Sequence, residues 1–526
     1  MELEVVLALG MFAAAIIALL AGYSVALTLG GIALIFALLG LALGVFPESL
    51  LSNLPSRVQG GAIMQNETLV AVPLFILMGV ILERSKVAED LLHIASRLLG
   101  RINGGLGYAV VLVGALLAAS TGIVGATVIT MTLIALPSML QQKYDTRLAT
   151  GAIAASGTLG QIIPPSIVLI LLADAVSNAA SQAASQMGIG AFVVSVGDLF
   201  AGALIPGFIL VGLYLIWIAI NAWFRPHHCP PVVDDTSDPL TRKEVLFGLG
   251  APLLLIFAVL GAILSGIATP TEAAAIGVAG AILLAGLRLS DDDDAFLSAL
   301  VLAAFASLAV IIFTRNVVDL RLGVADAGAL AYVGVGISLI ATIIFFAGLL
   351  AGMAILNRKQ QLSPALKSGV HITSMVFLIL IGASLFSLVF RGFGGDEIVA
   401  GLLHSIPGGK WGALVGAMLV MFVLGFFLDF IEIIFVVVPL VTPPLIVMGF
   451  DPVWLAILMA LNLQTSFLTP PFGFALFYLR GAAPEGVKTS EIWHGAVPFI
   501  GLQLIIILLV ASMPWLATWL PSVAAK

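Results

Sequence analysis

The chain has 526 residues, of which 61% are apolar and only 9% charged, and its mean hydropathy is +1.20. A soluble domain carries about 25% charged residues, so this composition excludes a soluble globular enzyme and a disordered chain. The net charge of −7 excludes a basic nucleic-acid-binding protein, and we expect no nucleic acid among its partners. At about 20 residues for each span, the length allows roughly a dozen bilayer crossings, with lipid as surroundings.

Long unbroken apolar stretches indicate membrane helices, since membrane β-strands would alternate polar and apolar residues. The first stretch opens with Glu2 and Glu4 and lacks the basic start of a cleaved signal, so we interpret it as the first membrane helix. The single cysteine, Cys229, excludes disulfides within the chain and multi-thiolate metal sites. We predict an all-α polytopic membrane protein with about 12–14 transmembrane helices.

Two long apolar segments are each interrupted by a turn. Residues 104–140 are broken by S-T-G-I-V-G at 120–125, and residues 411–450 are broken at 425–429. Each half is too short to cross a bilayer alone. Because Lys and Arg collect on the cytoplasmic side, the basic residues around the first segment predict a re-entrant hairpin from inside, whereas the second enters from outside.

The two segments and the helices after them form an internal repeat. A shift of 306 residues places Pro137 on Pro443, Asp145 on Asp451, and Pro164-Pro165 on Pro470-Pro471. The hairpins enter from opposite sides, so this is an inverted-topology repeat, which in secondary transporters places the binding site at the bilayer midplane.

Each Pro-Pro pair is expected to break its helix. The segments read A-S-G-T-L-G-Q-I-I-P-P-S at 155–166 and L-N-L-Q-T-S-F-L-T-P-P-F-G at 461–473. Proline has no N–H, so carbonyls one turn earlier lose their partners, at a cost of several kcal/mol each in lipid. A hard cation such as Na⁺ satisfies such oxygens, and the free amides at the hairpin turns suit a carboxylate.

The predicted site combines the hairpin turns with the two breaks. Its candidate substrate- and ion-binding residues are Ser120, Thr121, Gly122, Gly125, Ser156, Gly157, Thr158, Pro164, Pro165, Asp429, Asn462, Gln464, Thr465, Thr469, Pro470, Pro471 and Gly473. The structural alternative is that the prolines only kink helices and that Ser and Thr satisfy local carbonyls. Asp429 is also a possible N-cap, and Glu272 fits a capping box with Thr269.

The chain resembles the large membrane subunit of tripartite ATP-independent periplasmic (TRAP) transporters. The matching motifs are V-P-L-F-I-L-M-G (72–79), S-T-G-x-x-G, Y-D (144–145), A-A-S-G-T-L-G-Q-I-I-P-P-S, T-P-T-E-A-A-A (269–275), F-L-D (427–429) and L-T-P-P-F-G (468–473). The resemblance implies an elevator-type, Na⁺-driven importer of small organic acids in the bacterial inner membrane, with Na⁺ as coupling ion and no other cofactor. It implies two partners, a small four-helix membrane subunit and a periplasmic solute-binding protein. By position, it places Na⁺ at Ser120, Thr121, Ser156, Gly157, Asn462, Thr465 and Thr469.

Two departures from the family pattern stand out. The usual first turn is richer in serine, whereas Ile123 and Val124 occupy its later polar positions here. About 70 residues near 291–360 look inserted. The expected organisation is scaffold helices (1–103), first hairpin and broken helix (104–176), linking and scaffold helices (177–290), the inserted pair (291–360), a connecting helix (361–410), second hairpin and broken helix (411–480), and a C-terminal helix (481–526).

Other functions remain open at this stage. A stand-alone ion-coupled carboxylate carrier would share the architecture and work without a binding protein. An intramembrane hydrolase needs a nucleophile and base, or metal ligands, and the spans lack His pairs and paired acids. A channel fits two-sided hairpins with broken helices less well than alternating access does. No GxxxxGK[ST] motif for ATP occurs, and we expect no enzyme.

Overall fold

The protein is described from a computed structural model that covers residues 2–60, 63–190, 193–232, 241, 245–317 and 329–524. These residues form helices joined by turns. Within the described ranges, ten helices are long and apolar enough to cross a membrane, and up to 13 spans result when each bent helix pair is counted as one. The predicted all-α polytopic architecture is confirmed.

The N-terminal part contains membrane helices, short connecting helices and the first hairpin, whose arms are α7 and α8. The helices are α1 (Glu2–Leu20), α2 (Val25–Ala42), α3 (Glu48–Ser52), α4 (Leu54–Gln59), α5 (Ala71–Arg84), α6 (Val87–Leu99), α7 (Gly105–Thr121), α8 (Val124–Gln141), α9 (Thr146–Thr158), α10 (Ile167–Met187) and α11 (Val196–Phe224). Helix α10 runs beyond residue 176, the predicted end of the first half, because its last turns are rich in helix-forming Ala, Gln and Met.

The C-terminal part contains the second hairpin, whose first arm is α18 and whose second arm is α19 with α20. The helices are α12 (Ala251–Leu264), α13 (Pro270–Leu289), α14 (Ala295–Val317), α15 (Ala329–Arg358), α16 (Leu362–Gly392), α17 (Gly395–Ser405), α18 (Gly409–Leu424), α19 (Phe430–Val436), α20 (Val438–Val447), α21 (Pro452–Leu468), α22 (Phe474–Ala482), α23 (Thr489–Ser512) and α24 (Trp515–Ala524).

Three interruptions differ from the predicted helices, and each has a backbone cause. The connecting helix ends before Gly394, whose φ of +73° lies in the left-handed region, and α17 follows it. The second hairpin arm bends by 52° between α19 and α20, where Pro439 has no N–H for the carbonyl of Phe435. The predicted C-terminal helix is divided at Met513, because Pro514 cannot donate to the preceding turn.

The two helices expected near 291–360 are present as α14 and α15, packed on α13. Glycine lets two of these helices approach closely, since a Cβ on Gly286 would lie 3.0 Å from the Cα of Gly352. At the end of the pair with the Asp run, Arg358 donates to Asp294 at 2.9 Å, and Lys359 pairs with Asp291. That hydrogen bond raises the pKa of the Lys359 ammonium.

The capping box predicted for Glu272 is confirmed. The Thr269 N–H donates to the Glu272 carboxylate at 2.8 Å, and the Glu272 N–H donates to the Thr269 hydroxyl at 3.3 Å. Glu272 therefore stabilises the start of α13.

Candidate ion and substrate site

The two halves of the internal repeat have matching helix limits. The second hairpin arms begin at Val124 and Phe430, and the following helices begin at Thr146 and Pro452, in both cases 306 residues apart. Asp145 accepts from the N–H groups of Arg147 and Leu148, and Asp451 accepts from that of Trp454. The sequence repeat is therefore also a structural repeat.

Both helices break where the Pro-Pro pairs predict. Helix α9 tightens into a 3₁₀ turn over Leu159–Gln161, and α10 starts at Ile167 beyond Pro164-Pro165. Helix α21 ends at Leu468, and α22 starts at Phe474 beyond Pro470-Pro471. Both Pro-Pro peptide bonds are cis. Because separate helices lie on either side of each Pro-Pro pair, the alternative of continuous, merely kinked helices is excluded.

The first hairpin turn lies against the first break. Gly122 has a φ of +60°, and a Cβ there would lie 3.0 Å from Cγ1 and 3.2 Å from the backbone N of Ile167, at the start of α10. Only glycine fits both the conformation and the space. The roles predicted for the side chains of Ser120 and Thr121, just before this turn, lie outside the part of the chain that the structure describes.

Glycines also bring the two halves into contact. A Cβ on Gly125 would lie 2.9 Å from the ring of Tyr478, which belongs to α22 after the second break. Within each half, Gly157 lies against Val128, and Gly473 lies against the carbonyl of Phe467. The predicted site glycines therefore serve close packing around the breaks.

The second hairpin turn is closed by a capping box. The Phe430 N–H donates to the Asp429 carboxylate at 2.8 Å, and the Asp429 N–H donates to Glu432 at 3.1 Å. The N-cap interpretation of Asp429 is thus confirmed. These bonds use one carboxylate oxygen of Asp429, at the start of α19.

The first arm of the second hairpin is bound directly to the broken helix α21. The Asn462 side-chain amide donates to the Met418 carbonyl at 2.8 Å, and one turn later the Ser466 hydroxyl donates to the Phe422 carbonyl at 2.7 Å. The hairpin turn and the second break therefore have a fixed relative position.

The site hydroxyls donate to carbonyls of their own helices. Ser156 donates to Ala152 at 2.6 Å, Thr465 donates to Leu461 at 2.8 Å, and Thr469 donates to Thr465 at 2.7 Å. These bonds are those expected if the Ser and Thr hydroxyls only pair with carbonyls of their own helix. They also leave the hydroxyl lone pairs, which are acceptor sites, available to a cation.

The two broken helices meet at equivalent positions of the repeat. The Gln464 amide nitrogen lies 3.4 Å from the Thr158 hydroxyl oxygen, and these residues are 306 positions apart. The approximate two-fold axis of the repeat therefore passes between them. Thr158 donates its own proton to the Ala155 carbonyl at 2.8 Å.

Two further residues, which the sequence analysis missed, complete this contact. The Gln503 amide of α23 lies 2.9 Å from the Tyr214 hydroxyl of α11 and 3.3 Å from the Thr158 hydroxyl. Both side chains are buried. A lone amide or phenol in an otherwise apolar membrane helix is a signal that could have marked these residues, although it does not show which groups they contact.

The donor atoms of the site fit a hard monovalent cation. The oxygens of the Gln161, Gln464 and Gln503 amides are buried and have no hydrogen-bond partner among the described residues, which costs about 1–3 kcal/mol for each. Pro164 has no N–H to donate to the Gly160 carbonyl, four residues earlier. Hydroxyl, amide and main-chain oxygens are ligands that Na⁺ accepts, whereas transition metals prefer imidazole and thiolate.

Comparison with known proteins assigns the chain to a family. The family model described as "Tripartite ATP-independent periplasmic transporter, DctM component" matches residues 9–516. The chain belongs to this DctM family. The resemblance seen in the sequence motifs is therefore confirmed, and the DctM-family chain is a multi-pass membrane transporter subunit.

Named relatives of this DctM-family chain differ in their cargo. It is 29% identical over 464 residues to the C4-dicarboxylate TRAP transporter large permease protein DctM of Vibrio cholerae, covering 86% of each chain. It is 24% identical over 503 residues to the sialic acid large permease protein SiaM of the same species, covering 96% of each. The ectoine large permease protein TeaC of Halomonas elongata is 25% identical over 462 residues, covering 87% of each.

A solved structure shares the fold. The Alcanivorax borkumensis YdaH transporter, described as having an unusual topology, matches with a TM-score of 0.52 at 15% identity, over 90% of this chain and 89% of that one. At this identity the likeness concerns the fold alone.

Proposed function

We propose that this chain is the permease subunit of a Na⁺-coupled, binding-protein-dependent importer of small organic acids in the bacterial inner membrane. The observation that carries the proposal is the meeting of the two broken helices at Thr158 and Gln464, with a hairpin turn fixed beside each break. Inverted repeats with broken helices are the architecture of secondary transporter sites.

Na⁺ would be held by the main-chain oxygens of the breaks and by the hydroxyl and amide oxygens around them. Among the residues whose side chains the structure describes, Ser156, Asn462, Thr465 and Thr469 remain proposed ligands, and Gly157 would contribute its main-chain oxygen. The first hairpin turn would supply free N–H groups at the start of α8, and these groups favour the carboxylate of the cargo. At the start of α19, the Phe430 and Asp429 N–H groups already donate to the Asp429 and Glu432 carboxylates. The residues bind and orient the two ions, and no covalent chemistry is required.

The cation and the carboxylate compensate each other's charge. An isolated charge at the centre of a bilayer costs at least about 2.5–3.5 kcal/mol, so a loaded, neutral site crosses the apolar barrier more easily than a charged one. We propose that residues 104–176 and 411–480 move together as the transport domain of an elevator. Residues 1–103 and the helices of 177–410 would form the scaffold, including the inserted pair.

Two partners complete the proposed transporter. A small four-helix membrane subunit would pack on the scaffold, and a periplasmic solute-binding protein would deliver the cargo. The relatives are named for C4-dicarboxylate and sialic acid, which are organic acids, and this supports a carboxylate as cargo.

The test is uptake by the complete complex in proteoliposomes, with radiolabelled succinate and sialic acid as probes and the binding protein added outside. We expect uptake under an inward Na⁺ gradient, no uptake when K⁺ replaces Na⁺, and no effect of ATP depletion. Uptake of either probe that is indifferent to Na⁺ would contradict the coupling. Uptake that persists when the binding protein is omitted would instead identify a stand-alone carrier.

A further inference from the structure

A polar cavity of about 280 Å³ lies between α10, α16 and the second arm of the second hairpin. Its polar lining comes from Asp174, Asn178, Gln182, Ser384, Ser387 and Arg391. The volume is close to the lower limit for small-ligand pockets, about 300 Å³, so it suits a small organic acid.

In the predicted topology, the cavity lies outward of the second hairpin turn. Phe435, in its wall, follows the turn residue Asp429 by six residues, which is about 9 Å along a helix. Helix α16 begins beside Arg358 and Lys359, which the distribution of positive charges places inside, and it ends at the cavity beside Arg391. A cargo entering from outside would reach this cavity before the breaks.

Arg391 is the cation of the cavity, and its present partners are internal. Its Nη2 donates to the Gln182 side-chain oxygen at 2.8 Å, and its Nε lies 3.3 Å from Oδ2 of Asp396. The Gln182 amide donates to the same Asp396 oxygen at 3.1 Å. Asp396 thus places its carboxylate beside the Arg391 guanidinium, at the edge of the cavity. The cavity is large enough for a second carboxylate, that of a small organic acid.

The contact between Arg391 and Asp396 is incomplete. The Arg391 Nε and the Asp396 Oδ1 are buried and make no hydrogen bond. A guanidinium binds a carboxylate best through two parallel N–H···O bonds, and Asp396 does not provide that arrangement. A carboxylate that enters the cavity can accept two parallel hydrogen bonds from the Arg391 guanidinium.

The other acid of the cavity is already engaged. Asp174 accepts from the Asn66 amide at 2.6 Å and from the Asn178 amide at 3.4 Å. Because the Asn66 and Asn178 amides already donate to Asp174, the Arg391 guanidinium is the group in the cavity wall that would bind an anion. The Ser384 and Ser387 hydroxyls, on the same helix as Arg391, are available as further donors.

We propose that this cavity is an outer vestibule for the cargo carboxylate, in which Arg391 exchanges Asp396 for the incoming acid. The inference rests on the proposed function for the direction and class of the cargo. Arg391 would bind the carboxylate, and Asp396 would occupy its place when the vestibule is empty. No bond is made or broken apart from these hydrogen bonds.

The chain itself offers a clean assay, because Cys229 is its single cysteine. In a Cys229→Ala chain within the full complex, Ser387→Cys places a thiol in the cavity. Labelling from the outside compares two methanethiosulfonates of similar size, one with a carboxyethyl group and one with a trimethylammonioethyl group. The ratio of their rates measures how the vestibule discriminates a carboxylate from a cation.

We expect Arg391→Gln to lower the carboxylate-to-cation rate ratio about tenfold, since the nearest cationic charge is lost. Asp396→Asn should raise the ratio, because it frees the guanidinium. Lys410→Gln is the matched control, as it removes a positive charge that lies outside the cavity and contacts the rings of Trp411 and Phe450. It should leave the ratio unchanged.

An unreactive thiol at position 387 would overturn the proposal, because the cavity would then be closed to the outside. A ratio that changes less than twofold in both Arg391→Gln and Asp396→Asn would overturn it as well. The two variants act in opposite directions, so poor folding of one still leaves a decisive test. The labelling needs no transport, so its outcome is independent of whether uptake is coupled to Na⁺.

Discussion

Thr158→Val tests whether the contact between the two broken helices sets the ion affinity. The substitution keeps the volume but removes the hydroxyl that accepts from Gln464 and Gln503. Gln503 keeps its bond to Tyr214 at 2.9 Å, so the Gln464 amide is the group left without its partner. A buried donor without an acceptor costs about 1–3 kcal/mol, and about 2 kcal/mol corresponds to a roughly 30-fold change in an equilibrium constant.

Thr150→Val is the matched control on the same helix. Thr150 is also buried, but its hydroxyl bonds only to carbonyls of its own helix, those of Thr146 and Arg147. Both variants lose the hydroxyl bonding to carbonyls of their own helix, so they differ by the contacts that Thr158 makes with Gln464 and Gln503. We expect the Na⁺ concentration for half-maximal uptake to rise up to about 30-fold in Thr158→Val and to stay near wild type in Thr150→Val. If this Na⁺ concentration rose equally in both variants, the contact of Thr158 with Gln464 and Gln503 would not set the ion affinity.

Three further outcomes are expected. Gly122→Ala should abolish uptake, because the left-handed φ costs about 1–2 kcal/mol and the added Cβ also meets α10, whereas Gly188→Ala has a similar φ with nothing within 4 Å and should transport normally. Asp429→Asn should keep the melting temperature, since Asn also caps helices, and weaken Na⁺ activation of uptake, while Asp429→Ala should also lose about 1 kcal/mol of stability. Burial raises the pKa of the Cys229 thiol, so maleimide labelling of the folded chain at pH 7 should be slow and should rise with pH only above the usual thiol range, whereas rapid labelling at pH 7 would contradict its burial.

The fold and the breaks were predictable because they depend on short-range backbone chemistry. At Pro164-Pro165 and Pro470-Pro471, two successive prolines remove two backbone donors, and a shift of 306 residues repeats that signal together with the Asp N-caps at Asp145 and Asp451. The box at Thr269 and Glu272 was predictable for the same reason, since its partners are three residues apart.

The long-range parts of the site could not be derived from the sequence. Gln503 and Tyr214 approach Thr158 only through helix packing, and their separations in sequence carry no periodic signal. The pairing of Gln182 with Arg391 across 209 positions is of the same kind. The division of the predicted connecting helix into α16 and α17 was missed because a single glycine such as Gly394 within a helical pattern does not by itself show that the helix ends there.

Binding of ²²Na⁺ to the purified chain tests the central claim most directly. If Na⁺ binds where the two broken helices meet, binding should be saturable, and excess unlabelled Na⁺ but not K⁺ should displace the bound ²²Na⁺. Binding should also be weaker in Thr158→Val than in Thr150→Val. Binding that does not saturate, or that both variants retain equally, would contradict a cation site at the meeting of the two broken helices.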